Sequence, residues 1–129
     1  MQQANNDWQQ QEEKIKNKMV LVKNKIVVMS GKGGVGKSTV SVNLAYALAS
    51  QGFKVGLLDV DLHGPNVAKM LGVEGKQMVM SEAGIEPVMV NPNLLVVSMA
   101  FSGQHSDQPI IWRGPAKASV IRQFLSDVN

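Results

Sequence analysis

Apolar side chains recur at helical spacing in three stretches of this chain and gather into short continuous runs in three others. Trp8, Ile15, Met19 and Val22 fall on one stripe. Asp7 stands as N-cap with Gln10 three residues on and a Glu12/Lys16 pair at i,i+4, which predicts a helix from Asp7 after a polar, frayed 1–6. Val40, Leu44, Ala47 and Leu48 stand at i, i+4, i+7 and i+8 before Gly52, which predicts a helix over 37–51. Pro115 opens a third helix that turns Val120, Ile121, Phe124, Leu125 and Val128 inward.

The apolar runs "KIVVMS" (25–30), "KVGLLDVD" (54–61) and "NLLVVSMA" (93–100) have the length and β-branched content of buried parallel strands. Between the last two, Pro65 opens a short helix that Gly72 closes. "QMVMSEAGIEPVMV" (77–90) predicts a hairpin around 82–84 with Pro87 at an edge. Strand 25–30, helix 37–51 and strand 54–61 make one βαβ unit, whose crossover is expected to be right-handed. The fold class is therefore α/β, with residues 1–24 as a polar helical extension and 25–129 as the folded domain.

Composition narrows the function classes. With 129 residues, 44% hydrophobic and 18% charged, the chain suits a single globular domain rather than a disordered one. A net charge of +3 is too small to argue for nucleic acid; the lysines crowded into 14–25 read as a solvated helix face and linker. The absence of cysteine excludes a disulfide framework and any thiolate metal site within these residues. No apolar run reaches the about 18 residues of a membrane span, and the N-terminus has no signal-peptide pattern, so the expected compartment is cytoplasmic.

The chemistry is concentrated in "GKGGVGKS" (31–38), which fits G-x-x-x-x-G-K-[ST] between an expected strand and an expected helix. Gly31, Gly33, Gly34 and Gly36, with Val35 between the last two, let successive backbone N–H groups turn inward, and the following helix adds its positive N-terminus. Lys37 reaches the β- and γ-phosphates of a nucleotide, Ser38 Oγ ligates Mg²⁺, and Thr39 extends the loop into the helix. In "LLDVDLHGPN" (57–66), a carboxylate at a strand's C-terminal end faces the ligand crevice of an open α/β sheet. Asp59 is expected to hold Mg²⁺ or one of its waters, and Asp61 to orient the attacking water. The plainer alternative makes both aspartates turn caps before Gly64–Pro65.

Lys32 is the unusual residue, since it stands at the start of the loop. "KGGVGKST" (32–39) resembles the deviant phosphate loop of the MinD/ParA/nitrogenase-iron-protein superfamily. The resemblance implies a nucleotide-sandwich homodimer in which Lys32 contacts the phosphates held by the other subunit, as an arginine finger does. "DVDLHGPNVAKMLG" (59–72) with "IIWRGPAKASVIRQFLSDV" (110–128) resembles more narrowly the Mrp/ApbC family of P-loop ATPases. That family implies a P-loop NTPase fold with a mostly parallel sheet flanked by helices. It implies ATP and Mg²⁺ as ligands, and an activity that transfers iron–sulfur clusters to apoprotein clients without nucleic-acid or membrane partners.

The family pattern continues into a strand ending D-L-P-P-G-T-G-D and then a cluster-binding C-x-x-C pair, neither of which occurs in 1–129. The resemblance thus covers about 12–128 and implies the N-terminal portion of such a protein, truncated at its C-terminus, with no ligands for the cluster in these residues. A MinD/ParA-like positioning switch and a non-catalytic nucleotide-binding fragment are the competing readings. His63 is expected at the surface, His105 has no assigned role, and Trp112 and Arg113 are read as anchors of the last helix. Met29, Met70, Met78, Met80, Met89 and Met99 are read as core filling.

Overall fold

The computed structural model describes residues 1–29, 31, 36–60, 66–82, 84–98, 101 and 117–128. Its elements in chain order are α1 (Gln2–Leu21), α2 (Lys37–Ser50), β1 (Val55–Asp59), α3 (Asn66–Met70), β2 (Val79–Ser81), β3 (Gly84–Glu86), β4 (Val88–Asn91), β5 (Leu94–Ser98) and α4 (Lys117–Asp127). The order of helices and strands is that of a mixed α/β domain.

β5 is the centre of a three-stranded sheet of order β1-β5-β4. β1 pairs with it in parallel, Val55 opposite Leu94 through to Asp59 opposite Ser98, so the C-terminal ends of both strands stop at one level. β4 pairs antiparallel, with a register irregularity between Met89 and Asn91. The tight β4–β5 connection is an Asx turn, in which the Asn93 backbone N–H donates to Asn91 Oδ1 at 2.9 Å. Asn93 Nδ2 also donates to the Ala49 carbonyl, which accepts from the Gly52 N–H as well, and so ties the β4–β5 turn to the end of α2.

The hairpin expected over 77–90 divides at Pro87. β2 and β3 pair as a hairpin with Ser81 opposite Gly84, while Val88–Asn91 leaves to join β5. Proline lacks the N–H that would let one continuous strand serve both sheets.

Residues 25–30 depart from the expectation. Within the described part of that run no strand forms, and Ile26, Val27 and Met29 are exposed. A β-branched run becomes a strand only when its backbone groups pair with a neighbour's, and the run does not do so even though β1 is an edge of the described sheet. β5 is taken on one side by β1 and, over Leu94–Val96, by β4 on the other. The parallel portion of the sheet is accordingly the β1–β5 pair.

Part of the core lies between α2 and the sheet, and the same buried cluster includes Val97 on the opposite face and Phe124 of α4. Pleating puts Val55, Leu57 and Asp59 with Leu94, Val96 and Ser98 on one face. α2 packs on β1 and β5 through Val42, Ala45 and Ala49, the residues it buries. The stripe is thus rotated from the one expected, and Val40 and Leu44 are exposed. α2 is apolar on most of its circumference, so periodicity alone left its face open. The alanine side lets the helix backbone approach the sheet, whereas a valine–leucine side would hold it off.

α1 starts at Gln2, five residues before the expected cap, and Asp7 lies inside it. It packs along α4. The Arg122 guanidinium sits over the Trp8 ring, 4.2 Å from its centroid, and Arg122 Nε donates to Gln11 Oε1 at 3.3 Å. Gln11 Nε2 donates in turn to Ser126 Oγ, and Lys18 Nζ to the Val128 carbonyl. The Glu12–Lys16 pair forms as expected, at 3.5 Å.

Phe124 is buried and Ile121, Leu125 and Val128 half-buried, in line with an inward α4 stripe, while the Val120 side chain lies outside the described residues. Of the methionines read as core, Met78 is buried and Met29, Met70 and Met89 are exposed; the Met80 side chain and Met99 lie outside the described residues. Among the described residues no helix is long and apolar enough to cross a membrane.

These burial differences predict a contrast in stability. Leu94, fully buried at 0% exposure, is expected to lose about 2–5 kcal/mol on Leu94→Ala. Leu58, 38% exposed on the other face of the sheet, is expected to lose well under half as much on Leu58→Ala. Urea denaturation of the two variants checks the order, and equal losses would contradict the placement of the core.

Candidate nucleotide-phosphate site

Gly36 opens α2 with φ +90 and ψ 19, a left-handed conformation that a Cβ disfavours. Its carbonyl accepts the first helical bond, from the Val40 N–H at 2.9 Å. Lys37, Ser38 and Thr39 therefore form the first turn of α2, whose N–H groups have no partner within the helix and carry the positive end of its dipole. Ser41 Oγ and Asn43 Nδ2 donate to the carbonyls of Lys37 and Thr39, tying this turn to the next.

A small pocket of about 90 Å³ lies at that helix end, lined by Lys37, Ser38 and Ser41 of α2, by Asp59 at the end of β1, and by Val28. Lys37 and Ser38 are half-buried, while Gly31 is exposed with open space around it. The N-terminus of α2, an ammonium, two hydroxyls and a carboxylate thus meet at the C-terminal edge of the sheet, where open α/β sheets bind ligands.

The arrangement can neutralise a phosphate through Lys37 and the helix N–H groups. Ser38 Oγ and the Asp59 carboxylate are hard oxygen donors at the same pocket, a donor set that suits Mg²⁺ and would leave most of its coordination to water and phosphate. Asp59 is itself held, since Oδ2 accepts a hydrogen bond of 2.9 Å from Ser98 Oγ.

Of the residues expected to act here, Gly31, Gly36, Lys37, Ser38, Thr39 and Asp59 are described, and Lys37, Ser38 and Asp59 are brought together at one pocket. Lys32, Gly33, Gly34, Val35 and Asp61 lie outside the described residues, as do His63, His105, Trp112, Arg113 and Pro115. Sequence reasoning missed Ser41 and Ser98. Ser41 stands one helical turn from Lys37. Ser98 ends an apolar run just as Asp59 ends its own, a parallel that pairing the two strand ends would have exposed.

Residues 21–129 match the family model described as ParA, NUBPL iron-transfer P-loop NTPase. The chain belongs to that family. It is 53% identical over 119 residues to the iron–sulfur cluster carrier protein of Methanocaldococcus jannaschii, covering 92% of this chain and 41% of that protein. With the carrier protein of Saccharolobus solfataricus it shares 50% over 129 residues, covering 100% and 44%. With the cytosolic Fe-S cluster assembly factor Nubp2 homolog of Drosophila sechellia it shares 54% over 110 residues, covering 84% and 42%.

The chain therefore spans about two fifths of the length of these curated relatives. Among solved structures, a nucleotide-binding protein from Archaeoglobus fulgidus in complex with ADP superposes with a TM-score of 0.63 at 41% identity, over 78% of this chain and 37% of that one.

The left-handed Gly36 makes a test of the loop geometry. A Cβ there meets nothing within 4 Å, so the penalty of Gly36→Ala is conformational, about 1–2 kcal/mol of stability in urea denaturation. Gly31→Ala, also in open space and without a positive φ, is expected to stay within about 0.5 kcal/mol.

Proposed function

We propose that this chain supplies the phosphate-binding part of an ATP-hydrolysing protein that carries iron–sulfur clusters to apoproteins. The observation that carries the reading is the convergence of Lys37, Ser38 and Asp59 on one pocket at the N-terminus of α2. The names of the curated relatives support the cluster-carrier assignment over a positioning switch. The ADP complex of the Archaeoglobus fulgidus protein supports a nucleotide at this site.

In this reading the N–H groups of 31–39 and the Lys37 ammonium bind and orient the phosphates of ATP. Ser38 and Asp59 would hold Mg²⁺, which would supply neutralisation of phosphate charge. Asp61 orients the attacking water, and Lys32 completes the phosphate site of the partner in a homodimer. The chain contains no cysteine, so the cluster is cargo held by ligands outside these 129 residues. The word cytosolic in the name of the Drosophila relative supports a cytoplasmic location.

Two substitutions separate the roles of the lysines. Lys37→Ala is expected to weaken ATP binding at least tenfold, about 1.4 kcal/mol, by isothermal calorimetry. Lys32→Ala is expected to keep ATP binding within about twofold while phosphate release falls by about 10³-fold in the steady state. Unchanged turnover in Lys32→Ala removes the role in trans, and unchanged binding in Lys37→Ala removes the phosphate site.

A further inference from the structure

Ser98 has no assigned role, yet among the described residues it is the most completely buried polar side chain, at 0% exposure. A hydroxyl withdrawn from water costs free energy unless it is bonded, and its Oγ donates to Asp59 Oδ2 at 2.9 Å. The pairing is imposed by the backbone. Asp59 and Ser98 are Cα partners in the last rung of the parallel β1–β5 ladder, so their side chains leave the same face of the sheet at the same level. One strand further from the pocket, or one residue out of register, the hydroxyl could not reach the carboxylate.

We propose that Ser98 is a positioning residue for divalent-cation binding. Its hydroxyl engages Oδ2 and restricts rotation of the Asp59 carboxylate, holding it in the orientation from which it ligates Mg²⁺ or a Mg²⁺-bound water. The inference rests on the phosphate-site reading above and adds to it a residue from a different strand.

The physical reason is the demand of Mg²⁺ for near-ideal octahedral geometry, which penalises a ligand that swings. A carboxylate bonded to a buried hydroxyl starts from one orientation, so less entropy is lost when the cation arrives. A hydroxyl donor suits the task better than a lysine or arginine. It fixes the carboxylate without cancelling the charge that attracts the cation. The lone pairs of Ser98 add no charge of their own to the pocket.

The test separates cation binding from nucleotide binding and from folding. In the full 129-residue chain, ADP affinity is measured by calorimetry in EDTA and across a Mg²⁺ series, with Mn²⁺ binding followed by electron paramagnetic resonance. Ser98→Ala is expected to leave ADP affinity in EDTA within about twofold and to raise the Mg²⁺ and Mn²⁺ half-saturation about tenfold, as loss of a partner bonded to a metal ligand does. Ser98→Cys, which keeps a side chain of similar size but a weak donor, is expected to shift both in the same direction. Ser98→Thr, which keeps the hydroxyl on a residue suited to a strand, is expected to restore most of the cation affinity.

Half-saturation unchanged in both Ser98→Ala and Ser98→Cys overturns the proposal. So does an equal loss of ADP affinity with and without Mg²⁺, which marks a purely structural role. Asp59→Asn distinguishes the two levels of inference. If it shifts the cation dependence while Ser98→Ala does not, the Ser98 proposal alone fails. If neither shifts it, or the parent chain shows no cation-dependent nucleotide binding, the phosphate-site reading fails with it.

Discussion

The parallel ladder between β1 and β5 is the constraint on which the candidate site depends. It ends both strands at one level, with Asp59 and Ser98 in its last rung. The same two strands form the floor on which α2 lies, so the ladder also sets where the N-terminus of that helix is delivered. A polar pocket at the sheet edge follows from backbone hydrogen bonding and helix packing, before any side-chain chemistry is considered.

Packing on that floor chose the orientation of α2. The helix presents Val42, Ala45 and Ala49 inward, and the small side chains let its axis approach the strands. This choice fixes more than stability. Rotating the helix about its axis moves Ser38 and Ser41 around the pocket rim, so the alanines that bury also aim the hydroxyls. Asn93 ties the far end of α2 to the β4–β5 turn, which limits sliding along the strands. The site is thus held at both ends of one helix, by a left-handed glycine at its start and an asparagine at its finish.

α1 and α4 are a second unit of mutual support on the other side of the molecule. Trp8 and Gln11 engage Arg122, and Gln11 reaches Ser126, across more than a hundred residues of sequence. The polar sequence of α1 does not announce this partnership. Its polar contacts are a stacked cation, the Gln11 hydrogen bonds and the Lys18 bond to the Val128 carbonyl, while Met19 and Val22 line an apolar cavity with Phe124, Leu125 and Val128. The polar N-terminal helix is therefore in contact with the last helix of the chain.

By itself the sequence determined the chemistry and most of the element order. The glycine–lysine–serine spacing in 31–38, Asp59 at the end of a strand and the amphipathic last helix are local patterns, and local backbone preference suffices to read them. Tertiary structure decided what depends on neighbours. Residues 25–29 form no strand although β1 is an edge of the described sheet, so β-branched content alone did not bring about pairing. The hairpin divided at Pro87 because two sheets competed for its strands. α2 turned its alanines inward because close packing on β1 and β5 outweighed the larger stripe. Ser98 met Asp59 only through strand register. Each of these outcomes depends on which unpaired backbone group or apolar face lies nearby, and that is a property of the folded chain rather than of any window along it.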